Sequence, residues 1–171
     1  LLETYPALRQ RLDANRAGLY MADLIHHMLT DHDPHPKVYE IFTQTLTQMR
    51  EPGTMGISLL AFQLNLLSEA GYEPILDRDA QTGLDLDVDE PTLAFSAVAG
   101  GTVADNGEGD RWRVRAETIR LLQQVARNEV SSESMDAQSV ERANRLLAAY
   151  IREIIGTEPA AFRWRFPDLS A

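Results

Sequence analysis

The segment from Ile57 to Leu67 constrains the fold most. Ile57, Leu59, Leu60, Phe62, Leu64, Leu66 and Leu67 cover almost the whole circumference of a helix. A helix without a polar face has to be surrounded, and no stretch of the chain approaches the roughly 18 uninterrupted apolar residues of a membrane span. This segment is therefore expected to be the central, buried helix of a bundle.

Helical spacing supplies its neighbours. Leu8 and Leu12 begin a short helix, and Leu24, Ile25, Met28 and Leu29 mark one face of a second, broken by Asp31-His32-Asp33-Pro34-His35-Pro36. A third helix is predicted from about Lys37 to Met49, with Val38, Ile41, Phe42, Thr45, Leu46 and Met49 in register. Gly71 as C′ residue, with Pro74 beyond it, closes the apolar helix. Spacing resumes with Ile119, Leu122, Val125 and Ala126. A last helix carries Val140, Ala143, Leu147, Tyr150, Ile151 and Ile154 and stops at Gly156.

Residues 74–110 read differently. Leu84 to Asp89 alternates with period two, and Leu93 to Val98 follows Glu90-Pro91, which suggests a small hairpin-like excursion. Gly100-Gly101 and Asn106-Gly107 mark turns. The expected fold is mainly α: one helical domain over 1–171, with a small irregular or β-hairpin insert at about 74–110, packed by Leu76, Leu86, Leu93 and Phe95. The start, Leu1-Leu2-Glu3-Thr4-Tyr5-Pro6, has neither the basic end nor the apolar run of a signal peptide, so a soluble, cytoplasmic protein is expected. It is also not a methionine start, which suggests that the natural chain begins upstream.

The net charge of −10 opposes nucleic-acid binding, which needs a basic face. Its distribution is uneven: fifteen acidic against six basic residues up to position 90 (net −9), eleven against ten thereafter (net −1). Both tryptophans sit between arginines, in Arg111-Trp112-Arg113 and Arg163-Trp164-Arg165. Guanidinium contacts phosphate or carboxylate and indole offers an anchoring face, so these triplets are the best interaction signal; flanking charges around a core tryptophan are the ordinary alternative.

Catalytic signals are weak. The chain has no cysteine, hence no thiolate metal site, disulfide or thiol nucleophile. It has no G-x-S-x-G elbow, P-loop or dinucleotide fingerprint. All four histidines fall in His26-His27 and Asp31-His32-Asp33-Pro34-His35, but His26 and His27 diverge on a helix and the others lie in a Pro-rich turn; capping and solvation explain the cluster better than a metal. Asp85, Asp87 and Asp89 resemble the start of a calcium loop, which Glu90 and Ser96 then break; an amphipathic strand accounts for them. No cofactor and no catalytic residues are expected.

Four segments follow one another in order along the chain: Ala17 to Leu24, His35 to Phe42, Phe62 to Asp77 and Leu146 to Gly156. This ordered series resembles the bacterial DNA repair protein RecO family, from just after that family's N-terminal oligonucleotide-binding barrel. Ala17-Gly18-Leu19-Tyr20-Met21-Ala22-Asp23-Leu24 looks like the family's A-x-Y-x-x-E-L helix, and the stretch from His35 to Phe42 looks like its P-x-x-x-L-F-x-x-L. The most specific piece runs from Phe62 to Asp77, similar to F-E-x-x-L-L-x-x-x-G-Y-x-P-x-L-D, and Leu146 to Gly156 matches the closing helix. The basic residue and serine that follow this glycine in the family are missing in Thr157-Glu158-Pro159-Ala160-Ala161. Many members carry a four-cysteine zinc knuckle; here Asp79, Thr82, Ala104 and Gly107 stand at those positions, so the resemblance implies an insert that folds without zinc.

The resemblance implies a non-catalytic recombination mediator. Such proteins bind and anneal single-stranded DNA, pair with RecR, and engage the C-terminal tail of single-stranded DNA-binding protein to help load recombinase. Without the barrel, weak single-stranded DNA binding is expected. The acidic, apolar-ended tail needs an apolar floor, for which Leu64 and Leu67 are candidates, and a guanidinium rim from one triplet: Arg111, Arg113 and Arg115, or Arg163 and Arg165. A stand-alone helical interaction module without DNA function is the alternative.

Overall fold

The computed structural model describes residues 5–29, 34–51, 53–86, 90–107, 109–130 and 136–169. Its α-helices are α1 (Pro6–Gln10), α2 (Leu12–Met28), α3 (Pro36–Gln48), α4 (Met55–Glu69), α5 (Ala116–Ala126), α6 (Ala137–Ile155) and α7 (Phe162–Arg165). Three strands, β1 (Thr92–Ser96), β2 (Gly101–Val103) and β3 (Trp112–Arg115), lie between α4 and α5, and a 3-10 turn at Pro167–Leu169 follows α7.

The apolar helix is central, as its circumference requires. α4 packs against α2, α3, α5 and α6, and Leu59, Leu60, Phe62, Leu66 and Leu67 are buried. It ends as expected: Gly71 has φ +80°, and the Tyr72 N–H reaches back to the Leu67 carbonyl at 2.8 Å. α6 begins at Asp136, whose carboxylate accepts the Gln138 and Ser139 amides, and ends at Gly156 with φ +73°. Polar side chains also lie in this core. The Tyr20 hydroxyl donates to Gln63 Oε1 at 3.0 Å, and Gln63 Nε2 donates to Asn144 Oδ1 at 2.9 Å. Asn144 Nδ2 in turn donates to the Gly56 and Val140 carbonyls. This chain of bonds stitches α2, α4 and α6 together.

Two helical expectations need correction. The short helix and the second helix expected before residue 29 are instead α1 and one long α2, within which Leu12 is 64% exposed. The buried face of α2 is carried by Ala14, Ala17, Gly18, Tyr20, Met21 and Leu24, small residues that a count of large apolar side chains overlooks. α7 was not anticipated; Phe162 and Phe166 make edge and tilted ring contacts with Tyr20 and each other.

The insert is a three-stranded antiparallel sheet in the order β2-β1-β3. β1 and β2 form a hairpin through Ala97–Gly100, but its second strand is 101–103 rather than the alternating 84–89 run. Leu84 and Asp85 are not in a strand, and Asp87 and Asp89 lie outside the described residues. The sheet extends through β3, past residue 110. Ile75 bridges to Gly101 on the outer side of β2, so close that a Cβ on Gly101 would stand 2.2 Å from the Ile75 carbonyl oxygen. Leu76, Leu93 and Phe95 are buried and Leu86 packs on the core from its edge.

Candidate partner-binding groove

A groove of about 440 Å³ opens between α4, the segment 73–78 and the end of α5. Leu64, Leu76 and Val125 are its nearly buried apolar floor. The wall formed by Pro74 to Arg78 is tied down twice. Ile75 exchanges backbone bonds with the Gly100 carbonyl and the Thr102 amide, at 3.0 and 2.8 Å, and Gln123 Nε2 of α5 donates to the Leu76 carbonyl at 2.7 Å.

Two cations, Arg78 and Arg127, line the groove together with two carboxylates, Glu73 and Asp77. Arg78 lies 3.5 Å from Asp77, both well exposed. Arg127 is the C-cap of α5, whose final turn closes on Asn128 in the left-handed region at φ 56°. A cation there also complements the negative end of the helix dipole. Arg127 has no acidic partner among the described residues. An apolar floor bordered by guanidinium groups suits a ligand with an apolar end and carboxylates beside it.

Of the expected site residues, Leu64 lines the groove, whereas Leu67 is wholly buried. Neither arginine triplet does. Arg113 pairs with Asp105 at 2.7 Å and Arg115 with Glu117 at 3.5 Å, on the outer strand β3. Arg165 makes a two-pronged pair with Glu141, at 3.1 and 2.8 Å, and lies 4.5 Å over the Phe166 ring. Arg163 is exposed. The tryptophans part company: Trp112 stacks on Phe95 at 6.0 Å, whereas Trp164 is 47% exposed. Arg78 and Arg127 were missed because no local pattern joins two residues so far apart in the chain.

Three of the four degenerate knuckle positions converge through hydrogen bonds. The Asp79 carboxylate is buried; Oδ1 accepts the Gln81 and Thr82 amides at 2.9 and 2.8 Å, and Oδ2 accepts the Ala104 amide at 2.9 Å. Burial acts to raise its pKa, but the amide bonds from Ala104, Thr82 and Gln81 prevail and hold the carboxyl below its ordinary value. Gly107, the fourth position, is exposed at φ +78°. Among the described residues no group of three or more His, Asp or Glu side chains is placed to hold a metal ion. His26 and His27 lie there side by side on α2; Asp31, His32 and Asp33 are outside the described residues.

The family described as Recombination protein O C terminal matches residues 9–160. The chain belongs to the RecO C-terminal family. Among its relatives, the DNA repair protein RecO of Albidiferax ferrireducens is 33% identical over 66% of this chain and 44% of its own length. That of Geobacter sulfurreducens is 32% identical over 71% of the chain and 49% of its own length. The Dehalococcoides mccartyi protein is 22% identical over 95% of the chain and 66% of its own length. The RecO C-terminal chain thus spans roughly two fifths to two thirds of the curated relatives it matches. No helix among the described residues is long and apolar enough to cross a membrane.

Proposed function

We propose that this chain is the helical, partner-binding part of a non-catalytic recombination mediator of DNA repair, and that its groove receives the acidic, apolar-ended C-terminal tail of single-stranded DNA-binding protein. The observation that carries the reading is the pairing of the Leu64, Leu76 and Val125 floor with Arg127 and Arg78. An apolar terminal residue buries surface on the floor while carboxylates meet the guanidinium groups. Family membership supports the wider reading: a RecR-like protein as second partner, assistance to strand annealing and recombinase loading, and a cytoplasmic location.

Weak binding of single-stranded DNA by this part alone follows from its charge. The arginines that make the second half nearly neutral are largely engaged: Arg113 with Asp105, Arg115 and Arg142 with Glu117, Arg145 with Asp168, Arg152 with Glu158, and Arg165 with Glu141. Cations already opposed by carboxylates release few counterions from a strand. Submicromolar DNA affinity at physiological salt would contradict this. The same acidic balance favours the alternative, an interaction module without a DNA role.

Fluorescence anisotropy with a labelled peptide of several aspartates and an apolar C-terminal residue tests the groove. Arg78→Glu with Arg127→Glu should weaken binding at least tenfold, since each lost charge-assisted contact costs about 1 kcal/mol or more. Arg113→Glu with Arg115→Glu is the comparator, and Arg163→Glu with Arg165→Glu a second. If a comparator weakens binding and the groove pair does not, the tail docks at that triplet.

A further inference from the structure

We propose that Asp79 and Arg111 are positioning residues, a charged clip that holds the Arg78-bearing wall of the groove in place by fastening two chain segments to the peptide groups of residue 104. The inference rests on the groove reading given above and adds to it the groups that set the groove's shape.

The clip joins segments distant in the chain. Asp79 takes the Ala104 amide on one carboxylate oxygen and the amides of its own turn, Gln81 and Thr82, on the other. Arg111 works on the same two segments: its Nη1 donates to the Ala104 carbonyl at 2.9 Å and its Nη2 to Gln81 Oε1 at 2.7 Å. Residue 104 is therefore gripped at both its N–H and its C=O. The two gripping side chains are each about 6% exposed; the amide bonds to the Asp79 carboxylate are part-buried, whereas those of the Arg111 guanidinium are open to solvent.

The turn is also closed by its backbone. The Asp79 amide donates to the Leu84 carbonyl, the Gly83 amide to the Asp79 carbonyl and the Ala80 amide to the Thr102 carbonyl, each at 2.8 Å. Arg78 immediately precedes this turn, while the wall's other end is pinned by the Ile75 bridge to β2. Between the two anchors lie Leu76, whose carbonyl Gln123 also holds, and then Asp77 and Arg78. Losing the Asp79 carboxylate leaves the Ala80 bond to Thr102 as the turn's remaining tie to β2, which loosens Arg78 and Asp77 at the groove edge while the helices, which pack through α4, α5 and α6, keep their contacts. The role is one of placement: Asp79 does not line the groove, and its effect on a ligand passes through Arg78.

Two measurements test this on the whole chain. Hydrogen exchange reads the turn itself: Asp79→Ala and Arg111→Gln should speed exchange at the Ala104, Thr82 and Ala80 amides by at least tenfold, with exchange in α4 and α6 unchanged. Peptide anisotropy reads the consequence, an expected loss of five- to tenfold in affinity for Asp79→Ala. Asp79→Asn separates the clip from mere shape. It keeps the volume but turns an amide donor or leaves one fewer acceptor toward the three N–H groups, so it should behave like Asp79→Ala; parent-like exchange in Asp79→Asn would overturn the role of the charge. Unchanged exchange at the Ala80 amide in both Asp79→Ala and Arg111→Gln would overturn the proposal outright. If the Arg78→Glu, Arg127→Glu pair weakens the peptide tenfold and Asp79→Ala does not, the groove reading stands and the clip falls. If neither alters affinity but exchange rises as stated, the clip holds the wall and the groove reading fails.

Discussion

Replacing Asn144 with leucine should cost far more stability than its shape suggests. The two side chains are close in size, so the substitution removes polarity while opening little space. One group then loses its partner: the Gln63 amide, which donates to Asn144 Oδ1 at 2.9 Å; the Gly56 carbonyl, which accepts from Asn144 Nδ2 at 2.8 Å, lies within α4 and keeps its helical partner. The Val140 carbonyl keeps its helical partner and adds little. At about 1–3 kcal/mol for a stranded buried group, the expected loss is about 1–3 kcal/mol. Against a typical total of about 5–15 kcal/mol, that is a large fraction. Urea unfolding followed by far-UV circular dichroism measures it as a shift of midpoint at constant slope. The network also predicts strong coupling. Tyr20→Phe, Gln63→Met and Asn144→Leu together remove donors and acceptors in matched sets, so the triple variant should be more stable than the sum of its singles implies, by about 1–3 kcal/mol. Refutation is simple: an Asn144→Leu protein within about 0.5 kcal/mol of the parent, or strictly additive losses, would show that these bonds are not a coupled buried chain.

Other expectations follow from single features. Gly101→Ala should destabilise the insert by about 2 kcal/mol or more, because a Cβ placed 2.2 Å from the Ile75 oxygen breaks the bridge that pins the groove wall; unchanged stability and peptide affinity would contradict that contact. Arg165→Ala should cost about 1–2 kcal/mol through its two bonds to Glu141 and its place over Phe166, whereas Arg163→Ala should stay within about 0.5 kcal/mol; equal effects in thermal unfolding would deny the difference. Burial holds the Tyr20 phenol far above the usual tyrosine range, with Arg165 acting weakly against it. The unfolded chain loses this proton near pH 10 and the folded one retains it, so the contribution is complete below about pH 10 and declines as pH rises. Phenolate absorbance should show Tyr20 ionising only with unfolding, and reversible ionisation of all five tyrosines in folded protein would refute it. Chelator treatment should leave the unfolding midpoint unchanged, and one equivalent of zinc held by the insert would contradict a metal-free clip.

Much of the helical plan was legible because helix formation is local. The apolar circumference of 57–67 placed α4 at the centre, and Gly71 and Gly156 marked helix ends that the backbone realises at φ +80° and +73°. Locality is also why the insert was read less well. In β2 and β3, strands of three and four residues, alternation carries too little information, and pairing is decided by partners elsewhere in the chain, as Ala94 shows by facing both Val103 and Arg113.

Membership in the family was recognisable from ordered residues such as Phe62 to Asp77, yet the site's chemistry was not. Arg111 and Arg165 stand beside tryptophans and look like interaction residues, but the first grips Ala104 and the second Glu141. Arg78 and Arg127, unremarkable in sequence, meet at one groove because α5 returns beside the end of α4. Periodicity reports which side of a local element is apolar. Whether a polar side chain such as Asp79, Gln63 or Asn144 is stabilised inside depends on donors and acceptors brought from other segments, and only the tertiary structure supplies those.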